Sequence, residues 1–319
     1  MKVAIVGAGA AGCFCAVELK RRMPSASVEV FEAGTTALAK VAITGGGRCN
    51  LTNSFEGISS LSIAYPRGDK LMKRLFRSFD QRSTWQWFEN EGVKLVLQED
   101  HCVFPASQDA MEIVNTLQAR MRQAGVTLHT KRKVTGIFPR PDGGYTLSVA
   151  EPAEATKMLE YFADIVVVTT GGSPKLSGLG ILDGLGLEIV PPVPSLFTFN
   201  LPGSPVRELM GTVVENASAS LVGTKFKASG PLLITHWGMS GPAILKLSSY
   251  AARYLAENEY SATLSVNWFG DAGEQDVRDR ITALSKDSPQ KQILNTHPSE
   301  LPSRLWNYLI SKCGIREDA

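Results

Sequence analysis

The sequence has few residues that would cross-link the chain or hold it in a membrane. Its 319 residues include five cysteines, an odd number without a C-x-x-C pair, and this usage favours reduced thiols in the cytoplasm over a disulfide framework. No uninterrupted apolar run reaches the roughly 18 residues that a membrane helix needs. The apolar start, residues 1–17, runs straight into a charged helical stretch, which argues against a signal peptide. We therefore expect a soluble cytoplasmic protein with no membrane partner.

An excess of charge of either sign is also absent. The 33 Lys and Arg residues nearly balance the 31 Asp and Glu residues, for a formal net charge of +2. Short basic clusters at residues 20–22 and 131–133 lack interleaved aromatic residues, so nucleic acid is not an expected partner. Hydrophobic residues make up 44% of the chain and glycine occurs 29 times, a composition typical of a soluble α/β enzyme.

Several catalytic motifs are missing as well. The sequence contains neither the G-x-S-x-G nucleophile elbow nor the G-x-x-x-x-G-K-[ST] phosphate loop, so a hydrolase or an NTPase is not predicted. The four histidines do not cluster with cysteines or carboxylates at metal-ligand spacing. No metal site is therefore predicted.

What is present begins at the first residues. Residues 2–6 are a β-branched apolar run that predicts a buried parallel strand. Residues 7–12 read G-A-G-A-A-G and fit G-x-G-x-x-G, and an apolar helical face follows until Pro24. A second strand, residues 28–31, closes with Glu32, 20 residues beyond Gly12. This strand, turn, helix, strand and acid together predict a Rossmann dinucleotide site.

Each part of this motif has a physical role. Gly7 permits the tight turn, Gly9 lets the backbone approach a pyrophosphate, and Gly12 allows close packing of helix against strand. The helix N-terminus supplies amides and a positive dipole to the phosphates. Glu32 would accept hydrogen bonds from the adenosine ribose and would repel a 2′-phosphate, which argues against NADP at this position.

Two further glycine-rich segments extend the predicted site. Residues 44–53 read TGGGRCNLTN, and three successive glycines suit a main chain that lies flat against a ligand; a mobile surface loop is the alternative for this segment taken alone. Residues 163–172 read ADIVVVTTGG and predict a buried strand that ends in glycine. Ligands of open α/β sheets bind at the carboxyl ends of such strands.

These motifs, with VFPAS at residues 103–107 and THWGMSGP at residues 235–242, resemble the bacterial HI0933-like flavoproteins over nearly all of the chain. That family is described broadly as NAD(P)/FAD-dependent oxidoreductase, and its relatives include proteins called aminoacetone oxidase and bile-acid reductase. The resemblance implies that FAD is the cofactor and that it contacts the following residues: Gly7, Gly9, Ala10, Ala11, Gly12, Glu32, Ala33, Lys40, Gly45, Gly46, Gly47, Arg48, Cys49, Asn50, Val134, Thr170, Gly171 and Gly172.

The resemblance has one departure. Members of the family usually continue beyond a position like Ala319 and return to the FAD domain with a glycine-rich strand, turn and helix that cover the pyrimidine side of the flavin. The usual C-terminal return is not found in this sequence. The resemblance therefore implies weaker retention of FAD by this chain.

The remaining pattern predicts an α/β fold of two domains. The stiff Pro-Pro-Val-Pro run at residues 191–194 cannot lie in a central strand. We place the boundary there, between a Rossmann-like FAD-binding domain at 1–192 and a mixed strand and helix domain, resembling a β-barrel, at 193–319 that would cap the substrate site. A parallel sheet with a small antiparallel excursion at residues 134–162 is predicted in the first domain. In the second, a helix from Gly241 to Ala256 is predicted with Ser240 as its cap.

Three residues are candidates for catalysis. Arg48 could hold a phosphate or a substrate carboxylate, and Asn50 could donate to carbonyl groups of flavin or substrate, or form an Asx turn. His236 follows a predicted strand and could act as a general acid or base, or could order the turn before Ser240. Cys49 lies beside Arg48, which would favour a thiolate, but packing inside the loop is the interpretation we prefer.

The leading functional hypothesis is an FAD-dependent oxidoreductase that transfers hydride between a small organic substrate and flavin. NAD(P)H or oxygen would be the redox partner, and NAD(P)H would bind transiently because the chain has one nucleotide fingerprint. A flavin-binding protein or truncated enzyme without turnover is one alternative. An FAD-dependent RNA-modifying enzyme is another, and the near-neutral charge argues against it.

Overall fold

The structure, a computed structural model, describes residues 1–151 and 154–316. The chain divides into two compact units, Met1–Pro192 and Val193–Ala319. No helix in the described ranges is long and apolar enough to cross a membrane. All five cysteines are free thiols.

In its described residues, the first unit combines helices with three sheets. Its strands are β1 (Lys2–Val6), β2 (Ser27–Phe31), β3 (Thr52–Asn53), β4 (Leu95–Leu97), β5 (Cys102–Pro105), β6 (Thr127–His129), β7 (Val134–Pro139), β8 (Tyr145–Glu151), β9 (Glu154–Ala163) and β10 (Ile165–Val168). Its helices are α1 (Ala10–Arg22), α2 (Ala39–Gly47), α3 (Leu61–Ala64), α4 (Asp69–Leu75), α5 (Gln81–Asn90) and α6 (Ala110–Gln123), with a 3-10 segment at Leu176–Leu185.

The central sheet of this unit is parallel, with strand order β10-β1-β2-β6. Val3 and Ile5 of β1 pack into one apolar cluster with α1 and α6, while Ala4 and Val6 pack into another on the opposite face. Because successive side chains of a strand point to opposite faces, the apolar run from Val3 to Val6 is covered on both sides.

Two antiparallel sheets flank the central one. Strands β7, β8 and β9 form a three-stranded meander, and β3, β5 and β4 form a smaller sheet. The meander is the predicted antiparallel excursion. The prediction of a Rossmann-type α/β domain with a parallel sheet and this excursion is confirmed.

Two helices cover the face of the sheet formed by Val3 and Ile5. α1 buries Cys13, Ala16 and Val17, which recur at helical spacing. α6 starts at the Asp109 cap, whose carboxylate accepts the Met111 N–H at 2.8 Å. Its buried residues, Ile113, Val114, Leu117 and Met121, also follow helical spacing.

The second unit is built on an antiparallel sheet of order β11-β14-β13-β12-β15. Its strands are β11 (Phe199–Asn200), β12 (Val213–Leu221), β13 (Lys227–Ile234), β14 (Gly238–Ser240) and β15 (Leu264–Asn267), and its helices are α7 (Pro242–Tyr250), α8 (Ala252–Glu257), α9 (Glu274–Asp287) and α10 (Ser303–Lys312). Leu232 and Ile234 of the sheet pack against Ile244, Leu247 and Leu305 in one core. This confirms the predicted mixed second domain.

The predicted helix cap in this unit is wrong. Ser240 is the last residue of β14, where it pairs with Leu233, so the cap position falls to Gly241, at φ 93° and without a side-chain cap. Pro242 is the first residue of the helix, a position that tolerates proline because its N–H would have no partner within the helix. The helix is also not continuous, because the backbone departs from helical geometry at Ala251 (φ −93°, ψ 7°) between α7 and α8.

Candidate functional site

The glycine motif forms a tight junction between β1, α1 and β10. A Cβ atom at Gly7 would lie 2.7 Å from the Thr169 carbonyl oxygen, and Gly7 has φ +103°. A Cβ atom at Gly12 would clash with the Gly7 carbonyl oxygen and lie 2.7 Å from Thr169 Oγ1. These two positions therefore exclude larger side chains, and their glycines bring the start of α1 against the sheet.

Thr169 is a part of this junction that sequence reasoning missed. Its hydroxyl donates to the Gly7 carbonyl oxygen at 2.9 Å, with the Val6 carbonyl oxygen at 3.0 Å. The hydroxyl thus ties the end of β10 to the turn that follows β1. The sequence did indicate that Thr169 lies at the end of a strand, just before Thr-Gly-Gly. The direction of its hydroxyl, however, depends on how the strands pair.

Gly9 differs from its neighbours because a Cβ atom there would meet nothing within 4 Å. It precedes Ala10 and Ala11, which are exposed in the first turn of α1, and no side chain caps this helix. The first-turn amides and the positive end of the helix dipole therefore face open space beside a position without a side chain. That cradle fits the pyrophosphate of a dinucleotide such as FAD.

Glu32 ends β2 next to this cradle. One carboxylate oxygen accepts the Ala8 N–H at 2.9 Å and the other accepts the Gly34 N–H at 2.7 Å. These bonds hold the carboxylate beside the glycine turn, and each oxygen keeps a lone pair that a ribose hydroxyl could use. Ala33 follows it as an exposed residue.

Lys40 and Gly171 meet at the same edge of the sheet. A Cβ atom at Gly171, whose φ is +78°, would lie 3.7 Å from Lys40 Nζ. Thr170 and Gly172 flank it as exposed residues. The structure therefore brings an ammonium group to the glycines that follow β10, which suits a phosphate-bearing ligand. Val134, a buried residue, starts β7 two residues after Arg132, whose N–H donates to the Glu32 carbonyl oxygen at 2.8 Å.

The predicted loop at residues 44–50 is the distorted end of α2. Thr44 leaves the helical conformation, and Gly45, Gly46 and Gly47 have φ of 57°, 69° and 84°. Left-handed backbone at three successive positions favours glycine. The segment is therefore a left-handed turn at the surface of the first unit.

Arg48 is held by three groups of its own unit. Its Nε donates to the Gly45 carbonyl oxygen at 3.1 Å, its Nη1 lies 3.4 Å from Gln108 Oε1, and its guanidinium carbon sits 4.5 Å from the centre of the Phe104 ring. The side chain remains exposed. A fixed, solvent-facing cation is suited to a phosphate or carboxylate group.

Cys49 and Asn50 have different surroundings. Cys49 is 4% exposed, and burial raises the pKa of its thiol, against a smaller lowering by the hydrogen bond with Thr44. A thiolate at Cys49 is therefore not favoured, which agrees with the packing interpretation. Asn50 donates from Nδ2 to Cys102 Sγ at 3.3 Å. The Asx turn considered for Asn50 belongs instead to Asn53, whose Oδ1 accepts the Phe55 N–H at 2.8 Å.

A cavity of about 340 Å³ adjoins these residues within the first unit. Its floor is apolar and formed by buried Val41, Cys49, Phe88, Ile113 and Leu117, and its rim includes Ala10, Ala11, Thr44 and Asn50. Four of the residues expected to contact FAD thus line one apolar space. Such a space suits a flat ring with few charges.

His236 lies in the second unit, in the turn between β13 and β14. Its ring is exposed and stacks edge-on with Trp237, with ring centroids 4.2 Å apart. Its carbonyl oxygen accepts a bond from Arg207 Nε at 2.7 Å, while the turn itself is closed by Thr235, whose hydroxyl accepts the Gly238 N–H at 3.1 Å. The imidazole is therefore not needed to order the turn.

The described residues contain no group of three or more His, Cys, Asp or Glu side chains placed to hold a metal ion. The candidate site is consequently a nucleotide cradle with an adjoining apolar cavity. Its polar groups are backbone amides, Glu32, Lys40, Arg48 and Asn50.

Comparison with known proteins places these features in a family. A model described as "HI0933-like protein Rossmann domain" matches residues 1–252, and one described as "HI0933-like protein barrel and H2TH domain" matches residues 193–319.

The individual relatives have low sequence identity to this chain. A 3-dehydro-bile acid delta(4,6)-reductase of Clostridium scindens is 23% identical over 316 residues, covering 94% of this chain and 69% of the relative. A ribosomal RNA dihydrouridine synthase of Escherichia coli is 27% identical over 319 residues, covering 94% of this chain and 71% of the relative. Among solved structures, the open conformation of a flavocytochrome c3 fumarate reductase matches 67% of this chain and 46% of its own, with 18% identity and a TM-score of 0.47.

Proposed function

The chain belongs to the HI0933-like flavoprotein family, and from that premise we propose that it is an FAD-dependent oxidoreductase that transfers hydride between the flavin and a small organic substrate. The observation that carries the proposal is the open cradle at Gly9, between the uncapped start of α1 and the carboxylate of Glu32. Bound FAD would supply hydride transfer, and the protein would supply orientation and electrostatics.

Different residues of the first unit would bind different parts of FAD. The amides that open α1 would hold the pyrophosphate, Glu32 the adenosine ribose, and Lys40 a phosphate oxygen. The turn at residues 45–50 would present main-chain groups to the ring system. Arg48 would hold an anionic group of cofactor or substrate, since Phe104 and Gln108 fix its direction. Asn50 would donate to a carbonyl group, and His236 is the proposed general acid or base in the second unit.

We propose NAD(P)H or oxygen as the redox partner. The nucleotide fingerprint at residues 7–12 is the one that the sequence contains, so a nicotinamide would bind transiently at the substrate site. The free state of all five cysteines suits a reducing compartment, and the cytoplasm is the proposed location.

The visible absorption spectrum of the purified chain tests the proposal. We expect a flavin spectrum after FAD is added and the excess removed, and bleaching under anaerobic conditions when NADH or NADPH is supplied. If neither NADH nor NADPH bleached the bound flavin but an amine or an alcohol reduced it, the protein would be an oxidase. Failure to bind FAD after reconstitution would overturn the proposal for this chain.

The Gly9→Glu substitution probes the cradle directly. A carboxylate placed where the pyrophosphate passes adds bulk and like charge, so we expect FAD affinity to fall by a factor of about 100 or more. Ser25→Glu introduces the same charge in the turn beyond the other end of α1 and should leave affinity within about twofold. Stoichiometric FAD in folded Gly9→Glu protein would show that the cofactor binds elsewhere.

Reduction of a base in RNA is a second candidate, on the same flavin site. The Escherichia coli relative, named a ribosomal RNA dihydrouridine synthase, aligns with 94% of this chain, and dihydrouridine forms by hydrogenation of uridine. The balanced charge of the whole chain argued against nucleic acid, but a whole-chain balance does not describe how the charges are distributed. Anaerobic reoxidation of the reduced flavin by uridine-containing RNA, compared with small unsaturated ketones, distinguishes the two candidates.

A further inference from the structure

Positive charge is concentrated in one short segment of the first unit. Residues 66–82 contain six Lys or Arg residues against two Asp residues, a net charge of +4. The whole chain carries +2, so the other residues together carry −2. All six basic side chains of the segment are exposed: Arg67, Lys70, Lys73, Arg74, Arg77 and Arg82.

Four of these residues lie in α4 or just after it. Lys70, Lys73 and Arg74 of α4 are three or four positions apart, which places them on one helical face, and Arg77 lies in the turn that follows α4. Within the ranges that the structure describes, their side chains form no hydrogen bond or salt bridge. One of the two acids is used locally, because the Asp80 carboxylate caps α5 by accepting the Ser83 N–H at 2.8 Å. These four residues, which we call the basic face, therefore lack partners of their own.

A cleft of about 290 Å³, which we call the polar cleft after its polar side chains, begins at the end of the basic segment, because Gln81 and Arg82 line it. Its lining includes Thr52, Asn53, Gln81, Arg82 and the half-buried ring of Trp85. Hydroxyl and amide groups supply both donors and acceptors, and an indole supplies a flat surface for stacking. The one carboxylate of the lining, Glu56, lies 3.7 Å from His101. This combination is chemically suited to a nucleobase.

Aromatic packing fixes the cleft and the basic face relative to each other. Phe55, which lies between cleft residues 54 and 56, has its ring centroid 5.7 Å from that of Phe76, which lies between Arg74 and Arg77. Tyr65 packs edge-on against Phe76 at 6.1 Å. Since the rings hold both segments, phosphates on the basic face and a base in the cleft can belong to one strand.

The cleft also connects to the candidate flavin site along the chain. β3, which supplies Thr52 and Asn53, begins two residues after Asn50. It pairs with β5, where Cys102 Sγ accepts a hydrogen bond from Asn50 Nδ2. A ligand in the cleft therefore contacts the strand that leads directly from the Arg48–Asn50 motif.

We propose that the basic face and the polar cleft form a docking site for single-stranded RNA, with phosphates on Lys70, Lys73, Arg74 and Arg77 and one base stacked on Trp85. The inference rests on the second candidate function and gives it a binding surface. An anionic membrane would use the same cations together with exposed Leu71 and Leu75, but it would leave the polar cleft without a role, so RNA accounts for more of the surface.

Fluorescence anisotropy with a labelled oligouridylate tests the proposal on the full chain. We expect binding that weakens steeply with salt, because phosphate contacts release counterions. A blunt RNA duplex of the same length should bind more weakly, because its bases cannot enter the cleft. Wild-type protein that does not bind the single strand would overturn the proposal, as would binding of phosphatidylserine vesicles without binding of RNA.

Two charge-reversal variants form a matched pair. Lys73→Glu with Arg77→Glu should lower oligouridylate affinity by about tenfold or more and reduce the salt slope by roughly 1.4, at about 0.7 for each lost contact. Lys286→Glu with Lys291→Glu makes the same change of charge on exposed residues of the second unit and should change affinity by less than about twofold. Equal losses in both variants would show unspecific charge attraction and overturn the site.

Substitution of Trp85 tests the contribution of base stacking separately from that of charge. Trp85→Leu should weaken binding by roughly tenfold with an unchanged salt slope, while Trp85→Phe should retain most of the affinity. If neither Trp85→Leu nor Trp85→Phe weakened binding, the proposed contact between a base and the cleft would be refuted. FAD binding and NADPH-dependent bleaching measured on the same samples distinguish the two proposals: flavin reduction without RNA binding refutes the docking site alone, and absence of flavin refutes the proposed enzyme.

Discussion

The two glycine-rich turns of the first unit have similar composition but need glycine for different reasons. At residues 7–12, Gly7 and Gly12 are pressed against backbone atoms, so the requirement is for space. In the second turn, a Cβ atom on Gly46 or Gly47 would meet nothing within 4 Å, yet both have positive φ, so the requirement at these two positions is for backbone conformation. Gly45 of the same turn needs space as well, because its Cβ would lie 2.7 Å from the Asn50 backbone nitrogen. Glycine content alone therefore does not tell a close approach from a left-handed turn.

Each turn is followed by a buried cysteine, Cys13 after the first and Cys49 after the second, and the two thiols differ in how deeply they are enclosed. Cys13 is fully buried, and burial, with a smaller contribution from the charge of Glu32, raises the pKa of its thiol to about 12. Cys49 is 4% exposed, and burial raises the pKa of its thiol while the Thr44 hydrogen bond opposes the change. The first turn is thus the more deeply enclosed.

Gly12→Ala should break the first turn, with the largest expected effect. Its Cβ would overlap the Gly7 carbonyl oxygen, which is backbone and cannot rotate away. We expect a loss of about 3 kcal/mol or more in the free energy of unfolding, measured by urea denaturation. An unchanged denaturation midpoint would mean that α1 and β1 are farther apart than described.

Alkaline pH should reveal the burial of Cys13. Because its pKa is raised from 9.0 to about 12 in the folded chain, the stability that it contributes is complete below pH 9.0 and is lost as pH rises towards about 12. Between neutral pH and pH 10.5, wild-type protein should lose about 2 kcal/mol more than Cys13→Ala. Parallel pH profiles of the two proteins would show that the thiol is not enclosed.

Substitution of Gly46 should have the smallest effect and depend on conformation. Gly46→Ala should cost about 1 kcal/mol, because alanine is strained at φ +69°. Gly46→Asn should cost less, since asparagine tolerates left-handed backbone. Both can be compared by thermal unfolding. Equal costs for the two variants would point to contacts at this position, in place of the open space that the structure shows.

Much of the fold could be predicted because local patterns carried it. The strands at 2–6 and 165–168, the α1 helix and the antiparallel meander follow from apolar runs, periodicity and turn residues within short stretches of chain. Predictions failed where a residue's partner came from elsewhere. Ser240 was expected to cap a helix, but it pairs with Leu233 in a strand, and strand pairing leaves no signal at Ser240 itself.

The candidate site shows the same division. The spacing of Gly7, Gly9, Gly12 and Glu32 indicated a nucleotide cradle without any knowledge of contacts. The surroundings of Arg48 could not be predicted, because Phe104 and Gln108 follow it by more than 50 positions in the chain. Nor could the cluster of unpaired cations in and just after α4, since local sequence does not tell which charges will find partners.

The sequence by itself determined the Rossmann unit at the start of the chain, since hydrogen-bond geometry and glycine sterics act between residues that are close in sequence. Only the tertiary structure decided that Thr169 locks the glycine turn, that Cys49 is buried as a thiol, and that a polar cleft begins at the end of the basic segment. Burial and directed side-chain bonds depend on which distant segments the fold brings together, and no short stretch of sequence records that.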